Sequence, residues 1–260
     1  MMRWLHASGV MITRGERVLC RDLDLELHGG QCWGLLGENG VGKTTLLHTL
    51  AGLRPTTTGS VYLQGQPIER LSRVQVSRLL GLLLQDSTDP FPATVIETAL
   101  LGRHPHLSRW QWEGENDYRI AAAALDSVGL GALRDRRTDT LSGGERRRLA
   151  LATLLCQQPS IMLLDEPANH LDPVQQIRML ALLANGIATM ASGHPGVVLM
   201  SLHDINMAAR FCSHLLLLLP QGEVLSGPAT ELLDTVVLER LYGYPLQRIE
   251  YDAGVAFLPR

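Results

Sequence analysis

The chain has 260 residues, 45% hydrophobic and 19% charged, with a formal net charge of -3. That length supports one large α/β domain, or a main domain with a modest insertion, and a substantial core, and the charge does not suggest nucleic acid as a strongly basic chain would. Cys20, Cys32, Cys156 and Cys212 form no C-x-x-C pair, so buried free thiols in a reducing compartment are expected rather than a disulfide framework or zinc site. The most apolar run, Leu215 to Leu219, stops at Pro220, well short of the roughly 20 residues a membrane-spanning helix needs. The start, Met1 to His6, lacks the apolar core of a secretory signal. The chain is expected to stay in the cytosol unless a partner brings it to a membrane.

In chain order, residues 10 to 36 alternate apolar and polar side chains, as in Leu23-Asp24-Leu25-Glu26-Leu27, which predicts antiparallel β-structure with one solvated face. Gly29-Gly30 predicts a turn and Cys32 to Leu36 a short apolar strand. A glycine-rich loop follows, then a helix from Thr44 to Leu50 ending near Gly52. Val61 to Leu63 predicts another strand, and residues 79 to 84 a buried strand running into Gln85. Between about 92 and 138 the pattern turns helical, at Ala93 to Gly102 and Asn116 to Val128, and predicts an inserted helical subdomain. A helix over Arg146 to Leu155 and buried strands at Ile161 to Leu164, Val197 to Met200 and Leu215 to Leu219 follow. Beyond Pro228 a small appendage of helix and strand is expected.

Three motifs carry chemistry. Gly37-Glu38-Asn39-Gly40-Val41-Gly42-Lys43-Thr44 fits G-x-x-x-x-G-K-[ST], with the apolar strand before it and the helix after it that the motif requires. Its glycines let backbone N–H groups turn inward around phosphates, and the helix start adds a positive dipole end. Lys43 is expected on the β- and γ-phosphates and the Thr44 hydroxyl on Mg²⁺. Asp165 and Glu166 follow four apolar strand residues. Neighbours on a strand point opposite ways, so Asp165 is assigned to Mg²⁺ and Glu166 to polarising the attacking water. Leu141-Ser142-Gly143-Gly144-Glu145 fits a capping box. Its glycines also leave the N–H groups and the Ser142 hydroxyl uncovered, as an anion site at a helix start needs. It begins a different helix from the one after the phosphate loop and is not expected to serve that loop in the same chain.

On these motifs the chain resembles the ABC ATPase family over almost its whole length. The resemblance implies an α/β P-loop NTPase of ABC type, with a mixed central sheet, an antiparallel β-subdomain and an inserted α-helical subdomain. Residues 1–91 and 139–227 would form a RecA-like core plus the antiparallel β-subdomain, 92–138 the helical subdomain with its signature at 141–145, and 228–260 a C-terminal appendage. It implies a head-to-tail homodimer in which Ser142, Gly143 and Gly144 face ATP held by Gly40 to Thr44 of a second copy. Gln85 matches the Q-loop glutamine, a contact to Mg²⁺ and water. Asn169-His170-Leu171-Asp172 matches the D-loop, where Asp172 helps join the subunits, and His203 matches the switch histidine that orients Glu166. Thr45 joins the nucleotide contacts. The family usually stacks an aromatic residue on adenine; the matching stretch, Ile12 to Val18, has none, and Arg14 falls nearest that place. Weak selection of adenine over guanine follows as an expectation.

Thr94-Val95-Ile96-Glu97, Leu101 to His106, Asn169 to Asp172 and His203 to Asn206 are similar to the importer branch for iron–siderophore, haem and cobalamin complexes. That likeness implies integral-membrane permease partners, an indirect link to a substrate-binding protein, no nucleic-acid partner, and a peripheral place on the cytoplasmic face of the membrane. The surface around residues 86 to 106 would receive a short permease helix. An export or lipid-moving ATPase, a soluble ATPase acting on DNA or ribosomes, and a P-loop kinase are the competing readings; a kinase has no need of Leu141 to Glu145. Arg146 to Arg148 are read as a solvated or interdomain face, and the histidines, including His48, His104 and His106, show no metal-ligand grouping.

Overall fold

The computed structural model describes residues 2–85, 93–169, 171–186, 194–251 and 254–260. The connection expected after Gln85, residues 86–92, and His170 of the D-loop match lie outside the described residues.

Two long strands, β1 (Arg3–Arg14) and β2 (Arg17–His28), pair antiparallel. With β4 (Thr58–Leu63) and the short β5 (Gln66–Pro67) they make a four-stranded sheet in the order β2-β1-β4-β5. The first strand starts at Arg3, ahead of the position 10 that alternation suggests. Register shifts between Arg3 and Leu5, and again between Ala7 and Val10, break its two-residue period, and bulged strands lose the simple pattern.

A second sheet has six strands in the order β10-β9-β3-β8-β7-β6. These are β3 (Cys32–Leu36), β6 (Leu80–Leu83), β7 (Ile161–Leu164), β8 (Val197–Ser201), β9 (His214–Leu218) and β10 (Val224–Pro228), and only β10 runs antiparallel to its neighbour. Every residue of β3, β7 and β8 is buried. Alternate side chains enter two different cores. Trp33, Leu35, Ile161, Leu163, Val197 and Leu199 face the antiparallel sheet and α1 (Lys43–Leu50); Leu36, Met162, Leu164, Val198 and Met200 face the helices. That is why these segments read as continuous apolar runs.

The run at 79–84 divides in the structure. Leu79 ends α2 (Arg73–Leu79), a helix absent from the sequence reading, whose Ser72 cap pairs with Gln75 in a capping box. The strand stops at Leu83, and Leu84 is exposed. An unbroken leucine run hides a helix-to-strand junction, because both elements bury leucine.

The helical part contains α3 (Val95–Leu100), a 3₁₀ turn over Leu101–His106 and α4 (Glu115–Ser127). Both helices pack against α5 (Gly143–Gln157), which runs from Ser142 back to the sheet. A buried Arg103–Asp117 pair at 2.8 Å joins the 3₁₀ turn to α4, and Arg103 also donates to the Cys156 carbonyl at the end of α5. The Arg103 guanidinium holds the Asp117 carboxyl below the usual carboxylate range. Then come α6 (Pro173–Gly186) and α7 (Ile205–Phe211). The C-terminal piece holds α8 (Ala229–Leu232), α9 (Thr235–Tyr242) and a hairpin of β11 (Leu246–Tyr251) and β12 (Gly254–Pro259). The hairpin is tied to α7 by paired bonds between the Asn206 amide and the Phe257 backbone.

All four cysteines are free and buried, and burial pushes the Cys20 thiol up to about 12 and the Cys156 thiol to about 11. Among the described residues no helix is long and apolar enough to cross a membrane.

Candidate functional site

Parallel register sets Leu83 beside Leu164 and Leu164 beside Met200, while Leu35 of β3 lies beside Ser201. The carboxyl ends of four strands therefore open on one edge, the usual ligand edge of an open α/β sheet. Gly37, Gln85, Asp165 and His203 all leave the sheet there.

The loop after β3 needs its glycines. Gly40 and Gly42 have φ of 73° and 129°, which side chains with a Cβ rarely adopt. Lys43 opens α1, is 6% exposed, and folds back to donate to the carbonyls of Gly37 (2.7 Å) and Glu38 (3.2 Å). Burial lowers its pKa, and the charges of Glu166 and Asp165 oppose that shift. Glu38 is exposed, while Val41 is buried against the loop at Gly37.

Asp165 and Glu166 diverge. Asp165, 1% exposed, accepts from the Thr44 hydroxyl at 2.5 Å and from the Ser201 hydroxyl at 2.7 Å. Glu166 takes a left-handed φ of 48°, and its N–H donates to the same Ser201 hydroxyl at 2.8 Å. Its carboxylate turns the other way. One oxygen lies 2.5 Å from His203 Nε2, and the other accepts from the Gln85 amide (3.1 Å) and the Asn169 amide (2.7 Å). The pair at Thr44 and Asp165 offers hard oxygen donors of the kind Mg²⁺ takes. Among the described residues no group of three His, Cys, Asp or Glu could hold a metal by itself.

A cleft of ≈580 Å³ opens at this edge, and Gly37, Glu38, Val41 and Asp165 are not among the residues that line it. Of the residues singled out in the sequence, Arg14, Asn39, Gly40, Gly42, Lys43, Thr44, Thr45, Gln85, Glu166 and His203 line it, joined by Arg17, Leu19 and Asn169. Arg17, Leu19 and the Asn169 side chain carried no motif of their own as nucleotide contacts. Ser201 did have a signal: a polar residue ending an apolar strand, as Asp165 does.

Ser142, Gly143, Gly144 and Asp172 are not in that cleft. Asp172 is exposed and caps α6 through the Gln175 N–H at 3.0 Å. The helix after Ser142 begins at Gly143, not Arg146, and Ser142 and Glu145 form a full capping box. The Ser142 hydroxyl, read from the sequence as uncovered, accepts from the Glu145 N–H at 3.2 Å. Above the tip there is room: a Cβ at Gly143 would meet nothing within 4 Å, and one at Gly144 would sit 3.3 Å from Leu171.

The arginine triplet is not uniform. Arg146 is exposed and Arg148 half-buried, but Arg147 is 7% exposed and donates to backbone carbonyls at the ends of β6 and β7. A helix starting at Gly143 puts Arg147 on the same inward face as Leu151 and Leu154.

Comparison with known proteins gives a consistent picture. The family model described as ABC transporter matches residues 20–169. The ferric enterobactin transport ATP-binding protein FepC of Escherichia coli is 37% identical, with 98% of this chain and 92% of that protein covered. The iron(3+)-hydroxamate import ATP-binding protein FhuC of Bacillus subtilis is 34% identical, covering 100% and 92%. The hemin import ATP-binding protein HmuV of Myxococcus xanthus is 36% identical, covering 96% and 94%. Among solved structures, an ABC transporter described as of metal-chelate type in an inward-facing conformation superposes with a TM-score of 0.83 at 25% identity, covering 99% and 98% of the two chains. A dimeric post-hydrolysis ATP-binding cassette, MJ0796 with ADP and Pi, reaches 0.72 at 25% identity, covering 86% and 98%.

Proposed function

Since the chain belongs to the ABC transporter ATP-binding family and is an ATPase of that kind, we propose that it powers an importer for an iron–siderophore, haem or cobalamin-type chelate. The observation that carries the mechanism is the split of two adjacent acids, Asp165 onto Thr44 and Glu166 onto Gln85 and His203. The names of the relatives, which are iron–siderophore and hemin systems, support the substrate class.

In this reading Gly37 to Thr45 hold the phosphates of ATP, with Lys43 leaving its two loop carbonyls for phosphate oxygens. Thr44, Asp165 and Gln85 would hold Mg²⁺, which when bound would supply charge neutralisation for the phosphates. Glu166 takes a proton from the attacking water, and His203, 2.5 Å from its carboxylate, orients it. Arg14, which lines the cleft, would stack on the purine.

A second copy completes the site. Ser142, Gly143 and Gly144 of one copy face the γ-phosphate of the other, and Asp172 lies at the junction. ATP closes this homodimer because it contacts both copies, and loss of the γ-phosphate reopens it. The division into core (1–91 and 139–227), helical subdomain (92–138) and appendage (228–260) fits this motion, with α5 packing across the 138/139 boundary onto α3 and α4. The permease docks around residues 86 to 106, of which His104 and Pro105 border an apolar groove of ≈440 Å³ also lined by Leu53, Val74 and Leu82. Leu53 and Val74 are more than half exposed, at 54% and 52%. Such a surface suits a short amphipathic helix. This puts the chain peripherally on the cytoplasmic face of the membrane, linked through the permease to a substrate-binding protein.

The decisive experiment isolates the chain with its membrane partner and reconstitutes the complex in proteoliposomes. Uptake of an iron–siderophore, haem or cobalamin that depends on ATP on the side of this subunit is expected. Outward movement of substrate, or ATP turnover indifferent to every such chelate, would sink the importer assignment.

A further inference from the structure

Arg147 holds an arrangement that the mechanism above does not use. Its Nε donates to the Pro167 carbonyl at 3.1 Å, Nη1 to the carbonyls of Leu84 and Gln85, and Nη2 to those of Asp165 and Glu166. A guanidinium has five N–H donors in a fixed planar fork, and here five carbonyl oxygens receive them. Those carbonyls belong to two separate stretches of backbone, the end of β6 and the turn after β7. The Arg147 Cα belongs to a third element, α5, whose N-cap is Ser142.

Its neighbours in the triplet do something different. Arg146 donates to the Asp139 carbonyl and Arg148 to the carbonyls of Val128 and Gly129. These three bonds stay on the side of the helical segment. Only Arg147 reaches the strand ends that bear Gln85, Asp165 and Glu166. Those residues are also linked through their side chains, by the 3.1 Å bond from the Gln85 amide to Glu166. The backbone turn at Glu166 has φ of 48°, a conformation a non-glycine residue holds only when its surroundings over-determine it. Two of the five bonds, to Glu166 and Pro167, fall on that turn.

With the chain acting as the ATPase described above, we propose that Arg147 is a positioning residue for hydrolysis. It fixes the backbone of Gln85 and Glu166 to the helix that starts at Ser142. Movement of that helix and placement of the catalytic carboxylate thereby become one event within a single chain. The bonds run to main-chain oxygens, so the link does not depend on which side-chain contacts ATP makes or breaks. Lysine cannot replace it: an ammonium offers three donors from one point and cannot span both strand ends.

The test compares the full-length parent chain with Arg147→Lys and Arg147→Met, measuring binding of a fluorescent ATP analogue and steady-state hydrolysis. Analogue affinity and site number are expected within about twofold of the parent, because Arg147 lies outside the cleft that Lys43 and Thr44 line. The kcat is expected to fall at least about tenfold in Arg147→Lys and further in Arg147→Met, since a misplacement of about 1 Å can cost ~10²-fold. In a Gln85→Ala background the Arg147→Lys loss should shrink, because both changes act on one unit. Parent-like kcat in either variant that binds the analogue normally overturns the proposal. So does a loss of kcat matched by an equal loss of binding sites in both variants, which makes Arg147 a stability element. A fully multiplicative loss in the double variant also overturns it. A parent chain inactive in the same assay would instead remove the ATPase premise.

Discussion

The phosphate loop and the tip of α5 are both helix starts rich in glycine, yet the protein treats them in opposite ways. At the loop, Lys43 is buried, bonded to two carbonyls, and backed by the Thr44–Asp165–Ser201 chain of hydrogen bonds. At the tip, Ser142 and Gly143 are exposed, the cap is satisfied from within by Glu145, and among the described residues no atom lies within 4 Å of where a Gly143 Cβ would sit. One end is a finished half-site held by its own core. The other is finished as a helix start and open as a surface. In the proposed head-to-tail dimer, the open tip of one copy would face the phosphate loop of the other.

The largest test of this contrast is Glu166→Gln. It removes the carboxylate that His203, Gln85 and Asn169 hold, so hydrolysis should fall about 10³-fold, within the range for general bases. Size-exclusion chromatography should then show a dimer in Mg-ATP and not in ADP. A monomer at millimolar Mg-ATP would break the shared site.

Next comes Ser142→Arg, which fills the open tip with bulk and charge. Hydrolysis should drop about 10²-fold, the scale of losing a transition-state donor, while ATP binding by the isolated chain stays within about twofold. Weakened binding by the monomer would place Ser142 in the chain's own cleft and erase the contrast.

A smaller effect belongs to Lys43→Met. Losing a charged hydrogen bond worth about 1.5–3 kcal/mol should weaken Mg-ATP binding by roughly 10- to 100-fold in titration calorimetry. Unchanged affinity would mean that Lys43 stays on the Gly37 and Glu38 carbonyls and never turns to phosphate.

The smallest concerns Arg14. Arg14→Ala should weaken nucleotide binding only a few-fold, as befits an exposed cation–π contact of about 0.5–1 kcal/mol. The parent should hydrolyse GTP at a rate within about tenfold of ATP, because stacking without edge recognition reads no base. A larger preference for ATP at saturation would mean that another residue reads adenine.

Local chemistry is legible in a sequence wherever consecutive residues must act together. Gly37 to Thr44 build one loop from one stretch of chain, and Asp165-Glu166 end one strand, so spacing alone announced both. The apolar runs announced the buried strands, because a sheet covered on both faces tolerates no polar alternation. What escaped was set by partners distant in the chain. Four register shifts along β1 concealed its alternation, and the leucines at 79–84 concealed a helix end. Asn169, Arg17 and Leu19 entered the cleft only through folding.

The sequence by itself determined the family, the α/β layering and the identity of the loop, strand-end and signature motifs, since each is a local pattern of donors, glycines and apolar residues. Tertiary structure alone decided which partners the Asp165 and Glu166 carboxylates meet, and that one arginine of three is buried. Those outcomes depend on register between strands and on which carbonyl oxygens a folded chain brings within reach of a guanidinium, and no linear spacing encodes either.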